Sequence, residues 1–141
     1  MSGREVTVLL VDDNHVDREA VARAFSKQRI ANTIVNATNG EDALDALRGT
    51  NGRTAVPRPY LVLLDLNMPR MGGLEFLEAL RADPTLHDSI VFVLTTSKSD
   101  EDRVAAYGHN IAGYVQKSDV GAQFVNLLTL LDHYWRIVLF P

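Results

Sequence analysis

Short apolar runs, each stopped by a polar or charged residue, alternate along this chain with stretches of helical spacing. Val6 to Val11 is rich in valine and leucine and ends abruptly at Asp12-Asp13-Asn14. A near-continuous apolar run this short suits a strand covered on both faces. Thr33 to Ala37, Tyr60 to Leu64, Ile90 to Leu94 and Ala112 to Gln116 read the same way. Between them, Val21, Ala24 and Phe25 share a helical face, as do Leu44 with Leu47, and Leu74 with Leu77 and Leu80. Three helices carry start signals: Asn14 with Asp17, Thr38-Asn39-Gly40-Glu41, and Ser99 with Asp102, each a capping residue with an acid three positions on. A last helix is expected from near Val120. Five strands alternating with five helices predict an α/β domain, a parallel sheet with right-handed crossovers and helices on both faces.

Composition narrows the chemistry. With 141 residues the chain fits one domain, expected over 1–141 with an apolar C-terminal extension over 133–141 and no further domain. There is no cysteine, which excludes disulfides, zinc–thiolate sites and thiol catalysis. A net charge of -4 argues against nucleic acid as the main partner. The N-terminus does not read as a signal peptide. The apolar C-terminal stretch is broken by Asp132, His133 and Arg136, so no membrane span is expected and a cytoplasmic protein is the default. His15, His87, His109 and His133 are scattered without metal-ligand spacing and read as surface residues.

The informative residues are those at the strand ends, because ligands of such sheets bind outside the carboxyl ends of the strands. Asp12 and Asp13 follow the first strand, Asp65 the third, Thr95 and Thr96 the fourth, and Lys117 the fifth. Each alone has an ordinary explanation as a cap, a turn or a solvated side chain. Together they bring three carboxylates, a hydroxyl and an ammonium to one rim. Clustered carboxylates repel unless a cation neutralises them. Magnesium, with oxygen ligands and retained waters, suits such a site. One carboxylate can then act as a nucleophile toward phosphorus, while a lysine and a hydroxyl stabilise the transferring oxygens.

These residues resemble the receiver domain of two-component response regulators. The likeness rests on Leu9-Leu10-Val11-Asp12-Asp13, on the run from Leu63-Leu64-Asp65 through Asn67-Met68-Pro69 to Gly73-Leu74, on Val93-Leu94-Thr95-Thr96 and on Gly113-Tyr114-Val115-Gln116-Lys117. It covers residues 5 to about 132. The resemblance implies a flavodoxin-like sheet with its strands in the order 2-1-3-4-5. It further implies that Asp65 accepts a phosphoryl group from a phosphohistidine on a sensor histidine kinase. Asp13, Asp65 and the backbone carbonyl of Asn67 would bind magnesium directly, with Asp12 acting through a metal-bound water. Lys117 would pair with the carboxylate or phosphoryl group. Thr95 would turn inward to the phosphoryl oxygen, and Tyr114 would follow it as the aromatic switch. The face made by the fourth helix, fifth strand and fifth helix would change in response. Backbone N–H groups after Asp65 and at Thr96 would help hold the phosphoryl oxygens. Two departures stand out: Ser118 follows Lys117 where many receivers have proline, which puts a cis peptide there in doubt, and the turn reads Met71-Gly72-Gly73.

The Lys117-Ser118 step, the long loop from Gly49 to Pro59 and the ending from Tyr134-Trp135 to Leu139-Phe140-Pro141 are similar to small response regulators paired with phytochrome photoreceptor kinases. In that subgroup the C-terminal extension builds a dimer. The tail itself shows two helical stripes. Phe124, Leu128, Leu131 and Trp135 form one, Leu127, Leu130, Tyr134 and Val138 the other. One can pack on the sheet; the second is either part of a broad core face or a self-association surface. The expected interface comprises Leu127, Leu130, Tyr134, Trp135, Val138 and Phe140. The basic loop, with Arg48, Arg53 and Arg58, is a solvated insertion or a kinase-docking surface. Two alternatives remain open. An aspartyl-phosphate phosphatase would carry a second Asp where Asn67 stands. An inactive receiver scaffold would not need Asp12, Asp13, Asp65, Thr95 and Lys117 intact.

Overall fold

A computed structural model describes residues 5–117 and 124–141. Its elements run β1 (Thr7–Val11), α1 (His15–Lys27), β2 (Ile34–Ala37), α2 (Gly40–Arg48), β3 (Tyr60–Leu64), α3 (Gly73–Ala82), β4 (Ile90–Thr95), α4 (Asp100–Gly108), β5 (Gly113–Gln116) and α5 (Phe124–Ile137). The strands form one parallel sheet in the order β2-β1-β3-β4-β5. Both the alternation and the order match the expectation, with strand ends shifted by at most one residue. The expected start of the last helix near Val120, and the peptide bond at Ser118, lie outside the described residues.

The two-residue period of a strand explains the two cores. Leu9, Val11, Val62, Leu64, Val91 and Val93 face one way and meet Ala43, Leu44 and Leu47 of α2, Phe76, Leu77 and Leu80 of α3, and Ala106 of α4. Val8, Leu10, Leu61, Leu63, Phe92 and Leu94 face the other way, against Val21 and Phe25 of α1 and Leu127, Leu128, Leu131 and Trp135 of α5. β1 and β3 are buried along their whole length. Burying one Leu or Val contributes about 1.5–3 kcal/mol, so two continuous cores hold this fold without a metal or disulfide.

The helix starts differ from expectation in instructive ways. Asn14 caps α1 by accepting from the N–H groups of Val16 and Asp17, but the Asp17 carboxylate does not close a capping box; it binds Lys117. The cap of α2 is Asn39 and not Thr38: Asn39 accepts from the Asp42 N–H at 2.8 Å, and Asp42 accepts from the Thr38 N–H. The start moves one residue because the Gly40 N–H is tied to the Met71 carbonyl at 2.8 Å, and Met71 packs where a Cβ on Gly40 would lie. Ser99 caps α4, but Asp102 accepts from the Ser97 hydroxyl at 2.7 Å instead of reaching back to Ser99.

The loop from Gly49 to Pro59 is anchored. Arg53 donates to Asp42 and to the Asn36 carbonyl, and Arg58 to Asp88 and the Thr85 carbonyl. Arg48 donates to Asp83, and Val56 is buried. A docking role for these arginines would require giving up contacts within the chain.

The two-stripe reading of the tail needs correction. Leu128, Leu131 and Trp135 pack inward as expected, but Leu127, assigned to the outer stripe, is only 8% exposed. Trp135 packs on Phe25 with ring centroids 6.1 Å apart. Tyr134 meets Phe92 edge-on at 5.2 Å, and Phe140 folds back on Tyr134 at 5.9 Å. Leu127 and Trp135 therefore belong to the chain's own core, and Tyr134 and Phe140 lie half-buried against it. The reason is geometric: a helix packed against both the sheet and α1 buries a face broader than one narrow stripe. Leu130 (53% exposed), Ile137, Val138 and Leu139 (96% exposed) remain in the open. Residues 133–137 are the last turn of α5, so an extension distinct from the helix amounts only to the final residues.

Candidate functional site

Strand register sets the geometry of the site. Val11 pairs with Leu64 across β1 and β3, and the Asp65 N–H donates to the Val11 carbonyl at 2.9 Å. On the other side the Asp12 N–H donates to the Ala37 carbonyl at 3.0 Å. Asp12 and Asp65 therefore leave neighbouring strands at one level, at the point where the chain order of the sheet reverses. Leu64 pairs with Val93, and Thr95 with Gln116, which brings Thr95 and Lys117 to the same rim. The five strand-end groups singled out from sequence do converge.

Carboxylate oxygens of Asp12, Asp13 and Asp65 lie within 4.8 Å of one another. Asp12 and Asp65 are buried, 3% and 5% exposed, and Asp13 is exposed at the mouth. Asp65 Oδ1 accepts from Thr95 Oγ1 at 3.0 Å and from the Asn67 N–H at 3.3 Å. Asp65 Oδ2 faces Lys117 Nζ at 3.6 Å, beyond direct hydrogen-bond reach. Lys117 donates instead to Asp12 Oδ2 at 2.6 Å and to Asp17 Oδ2 at 2.8 Å. Asp12 Oδ1 accepts from the Asn14 N–H at 2.9 Å, and the Arg18 guanidinium donates to the Asp12 carbonyl at 2.7 Å.

The backbone around Asp65 is held by a close approach. The Gly73 N–H donates to the Leu66 carbonyl at 3.0 Å. A Cβ at Gly73 would lie 2.5 Å from the Asp65 carbonyl oxygen and 2.6 Å from Leu66 Cα. Only glycine lets the first turn of α3 sit directly beneath the strand end that presents Asp65.

Burial raises the Asp65 carboxyl above the usual aspartate range; Lys117 opposes this, the Asp12 charge adds to it, and the hydrogen bonds from Thr95 and Asn67 oppose it. Burial alone would push the Lys117 ammonium down, but its hydrogen bonds to Asp12 and Asp17, with the charges of Asp65 and Asp12, hold it above the ordinary lysine range. Three carboxylates face one ammonium, so negative charge is in excess. All the donors are hard oxygens, the set that binds Mg2+ or a similar divalent ion. The residues therefore fit a hard divalent cation, and the burial cost at Asp65 is what such a cation would relieve. The Asn67 N–H on Asp65 places the residue expected to lend its carbonyl beside this cluster.

Beyond the cluster, Thr95 is fully buried, and its Oγ1 accepts from the Ser97 N–H at 3.3 Å. Tyr114 is half-buried, and its hydroxyl donates to the Ser97 carbonyl at 3.4 Å. Tyr114 therefore touches the loop that follows Thr95. His15 is exposed at the first position of α1. Sequence reasoning missed Asp17 as a partner of Lys117 and Asp102 as the anchor of Ser97. Both acids stand at a capping-box spacing, and that local pattern concealed a long-range bond.

Comparison with known proteins places this geometry. The family model of the response regulator receiver domain matches residues 8–128. Response regulator Rcp1 of Synechocystis sp. is 30% identical over 128 residues, covering 91% of this chain and 87% of Rcp1. The phosphorylated cyanobacterial phytochrome response regulator RcpA superposes with a TM-score of 0.86 at 29% identity, covering 98% of this chain and 99% of RcpA. The Mn(2+)-bound form of Rcp1 gives 0.83 at 29% identity over 96% of this chain and 99% of that one. Response regulator RPA3017, in red light signalling of R. palustris, gives 0.83 at 32% identity, with 96% and 98% covered. With strand order, acidic cluster and family model in agreement, the chain belongs to the response regulator receiver domain family, and phytochrome response regulators are among its relatives.

Proposed function

We propose that this protein is a phosphoryl-accepting switch of a two-component system, charged at Asp65 by a sensor histidine kinase of the phytochrome type. The observation that carries the reading is the setting of Asp65: a buried carboxylate among two further carboxylates, with the Thr95 hydroxyl on one oxygen and Lys117 near the other. An Asp65 oxygen attacks phosphorus; the bond to the phosphohistidine nitrogen breaks, and that nitrogen keeps the electron pair. Lys117 and Thr95 donate to the transferred oxygens. Asp12, Asp13, Asp65 and the Asn67 carbonyl would hold Mg2+, which when bound neutralises carboxylate and phosphoryl charge. A manganese-bound structure of the relative Rcp1 supports a divalent ion here. The protein acts on no other substrate; it promotes its own phosphorylation and dephosphorylation.

A phosphoryl group adds about -1.5 to -2 charge and three acceptor oxygens. Thr95 then exchanges its bond to Asp65 for one to a phosphoryl oxygen, and Tyr114 follows into the space released. The α4–β5–α5 face changes by a population shift between two states. Similarity to the phytochrome response regulator RcpA, and to RPA3017 of red light signalling, supports pairing with a phytochrome kinase. Incubation with acetyl phosphate and Mg2+, followed by intact-mass measurement, tests the reading. One phosphoryl adduct is expected, lost with a chelator and in Asp65→Asn; no adduct from acetyl phosphate or kinase would sink it.

The open apolar side chains Leu130, Ile137, Val138 and Leu139 support self-association as a two-fold dimer at the end of α5, in place of the larger interface expected from sequence. Solution mass of the parent and of Leu130→Glu with Val138→Glu tests this. No helix among the described residues is long and apolar enough to cross a membrane. On this reading the protein signals by protein contact in the cytoplasm, without nucleic acid.

A further inference from the structure

Lys117 is held by an acid that belongs to neither the metal cluster nor the reacting group. Its ammonium has three N–H donors. One goes to Asp12 Oδ2 at 2.6 Å and one to Asp17 Oδ2 at 2.8 Å, whereas Asp65 Oδ2 lies 3.6 Å away. Asp17 sits on the first turn of α1, and the Asn14 cap uses only its backbone N–H. Its carboxylate is therefore free to serve Lys117 without any part in starting the helix. The Lys117 side chain is 13% exposed, so solvent replaces little of what Asp17 supplies. Asp17 is about two-fifths exposed, at 39%, and is not one of the three clustered carboxylates.

We propose that Asp17 is a positioning residue that tethers the Lys117 ammonium away from Asp65 in the unphosphorylated protein, so that a phosphoryl group must compete with Asp17 for Lys117. The tether rests on the reading of Asp65 as phosphoacceptor for its consequence, but not for its existence. In the resting state Lys117 is pulled toward α1. Once Asp65 carries phosphoryl oxygens, the same ammonium has stronger acceptors on the other side. A carboxylate that binds Lys117 more tightly in the resting state than in the phosphorylated state opposes phosphorylation by that difference. For a partly exposed ion pair the difference corresponds to about a threefold to fivefold change in rate or half-saturating donor.

Two readouts on the full chain test it. The first is the 15N-ammonium NMR signal of Lys117, recorded in chelator without phosphodonor. In the parent and in Asp17→Glu a slowly exchanging ammonium held by two carboxylates gives an observable cross-peak; in Asp17→Asn it shifts or broadens away. The second is phosphorylation by acetyl phosphate in Mg2+. Asp17→Asn is expected to phosphorylate several-fold faster at limiting donor, with a lower half-saturating concentration, while Asp17→Glu stays near the parent. An unchanged Lys117 signal in Asp17→Asn overturns the tether. A changed signal with unchanged or slower phosphorylation overturns the competition. If the parent takes up no phosphoryl group at all, the phosphoacceptor reading fails and the competition with it, while the ammonium signal still decides the tether.

Discussion

Thr95 Oγ1 donates a 3.0 Å hydrogen bond to Asp65 Oδ1 across 30 positions of sequence, with both side chains buried. The bond joins the end of β4 to the end of β3 and links the acidic cluster to the loop that Tyr114 touches. Thr95→Val keeps the shape and removes the donor. A hydrogen bond to a charged group contributes about 1.5–3 kcal/mol, so urea unfolding should show a loss of that order. Removing the donor should also raise the Asp65 carboxyl further, because that bond helps hold it down. A carboxyl-carbon NMR titration of residue 65 reads the shift.

Gly73 and Gly40 make a contrasting pair. A Cβ at Gly73 meets the backbone of Asp65 and Leu66 first, whereas the nearest atoms to one at Gly40 all belong to the Met71 side chain. Backbone cannot step aside as a methionine can. Gly73→Ala should cost about 1–3 kcal/mol and impair phosphorylation by displacing Asp65. Gly40→Ala should cost less than Gly73→Ala, because the Met71 side chain can repack where the backbone of Asp65 and Leu66 cannot. Thermal melts and acetyl phosphate uptake of both variants check this.

Burial raises the Asp65 carboxyl in the folded chain, so between the ordinary aspartate value of 3.8 and the folded value the native state binds more protons than the unfolded state. Stability of the metal-free protein therefore falls as pH rises through that window. Asp65→Asn has no such group, and its stability relative to the parent should grow as pH rises from the ordinary aspartate value through the raised one of the folded chain. Melting curves in chelator measure the difference. Added Mg2+ should stabilise the parent more than the variant. A parent that gains stability over Asp65→Asn with rising pH in chelator contradicts the assignment.

Trp135 and Leu130 separate core from surface on α5. Trp135 is buried against Phe25, so Trp135→Ala should destabilise the fold by about 3–5 kcal/mol. Leu130 is 53% exposed, so Leu130→Glu should change the stability of the dilute protein by no more than about 0.5 kcal/mol. Chemical denaturation at low concentration reads both. A mild effect at Trp135 with a large one at Leu130 would reverse the assignment of faces.

The strands were legible because three of them are nearly unbroken apolar runs, and because each of these ends on a polar residue that carries chemistry. Asp12, Asp13, Asp65, Thr95 and Lys117 could be placed from that rule alone, since parallel strands bring their carboxyl ends to one rim. What escaped was pairing across the fold. Asp17 and Asp102 each stand three residues after a cap, and the local capping pattern explains them until Lys117 and Ser97 are in view. Leu127 escaped for a different reason. Helical spacing shows which residues share a face but not how wide a face the sheet and α1 together cover. The outer stripe shrank to Leu130, Val138 and their neighbours for that reason.

Whether Asp65 itself carries the phosphoryl group is decided most directly by chemical trapping. Reduction of the acetyl phosphate-treated protein with borohydride converts an aspartyl phosphate to the alcohol, and peptide mass mapping then locates it. Only residue 65 is expected to be reduced, and only when Mg2+ was present. Reduction at Asp12 or Asp13, or at no aspartate despite a phosphoryl adduct in the intact mass, would contradict the assignment.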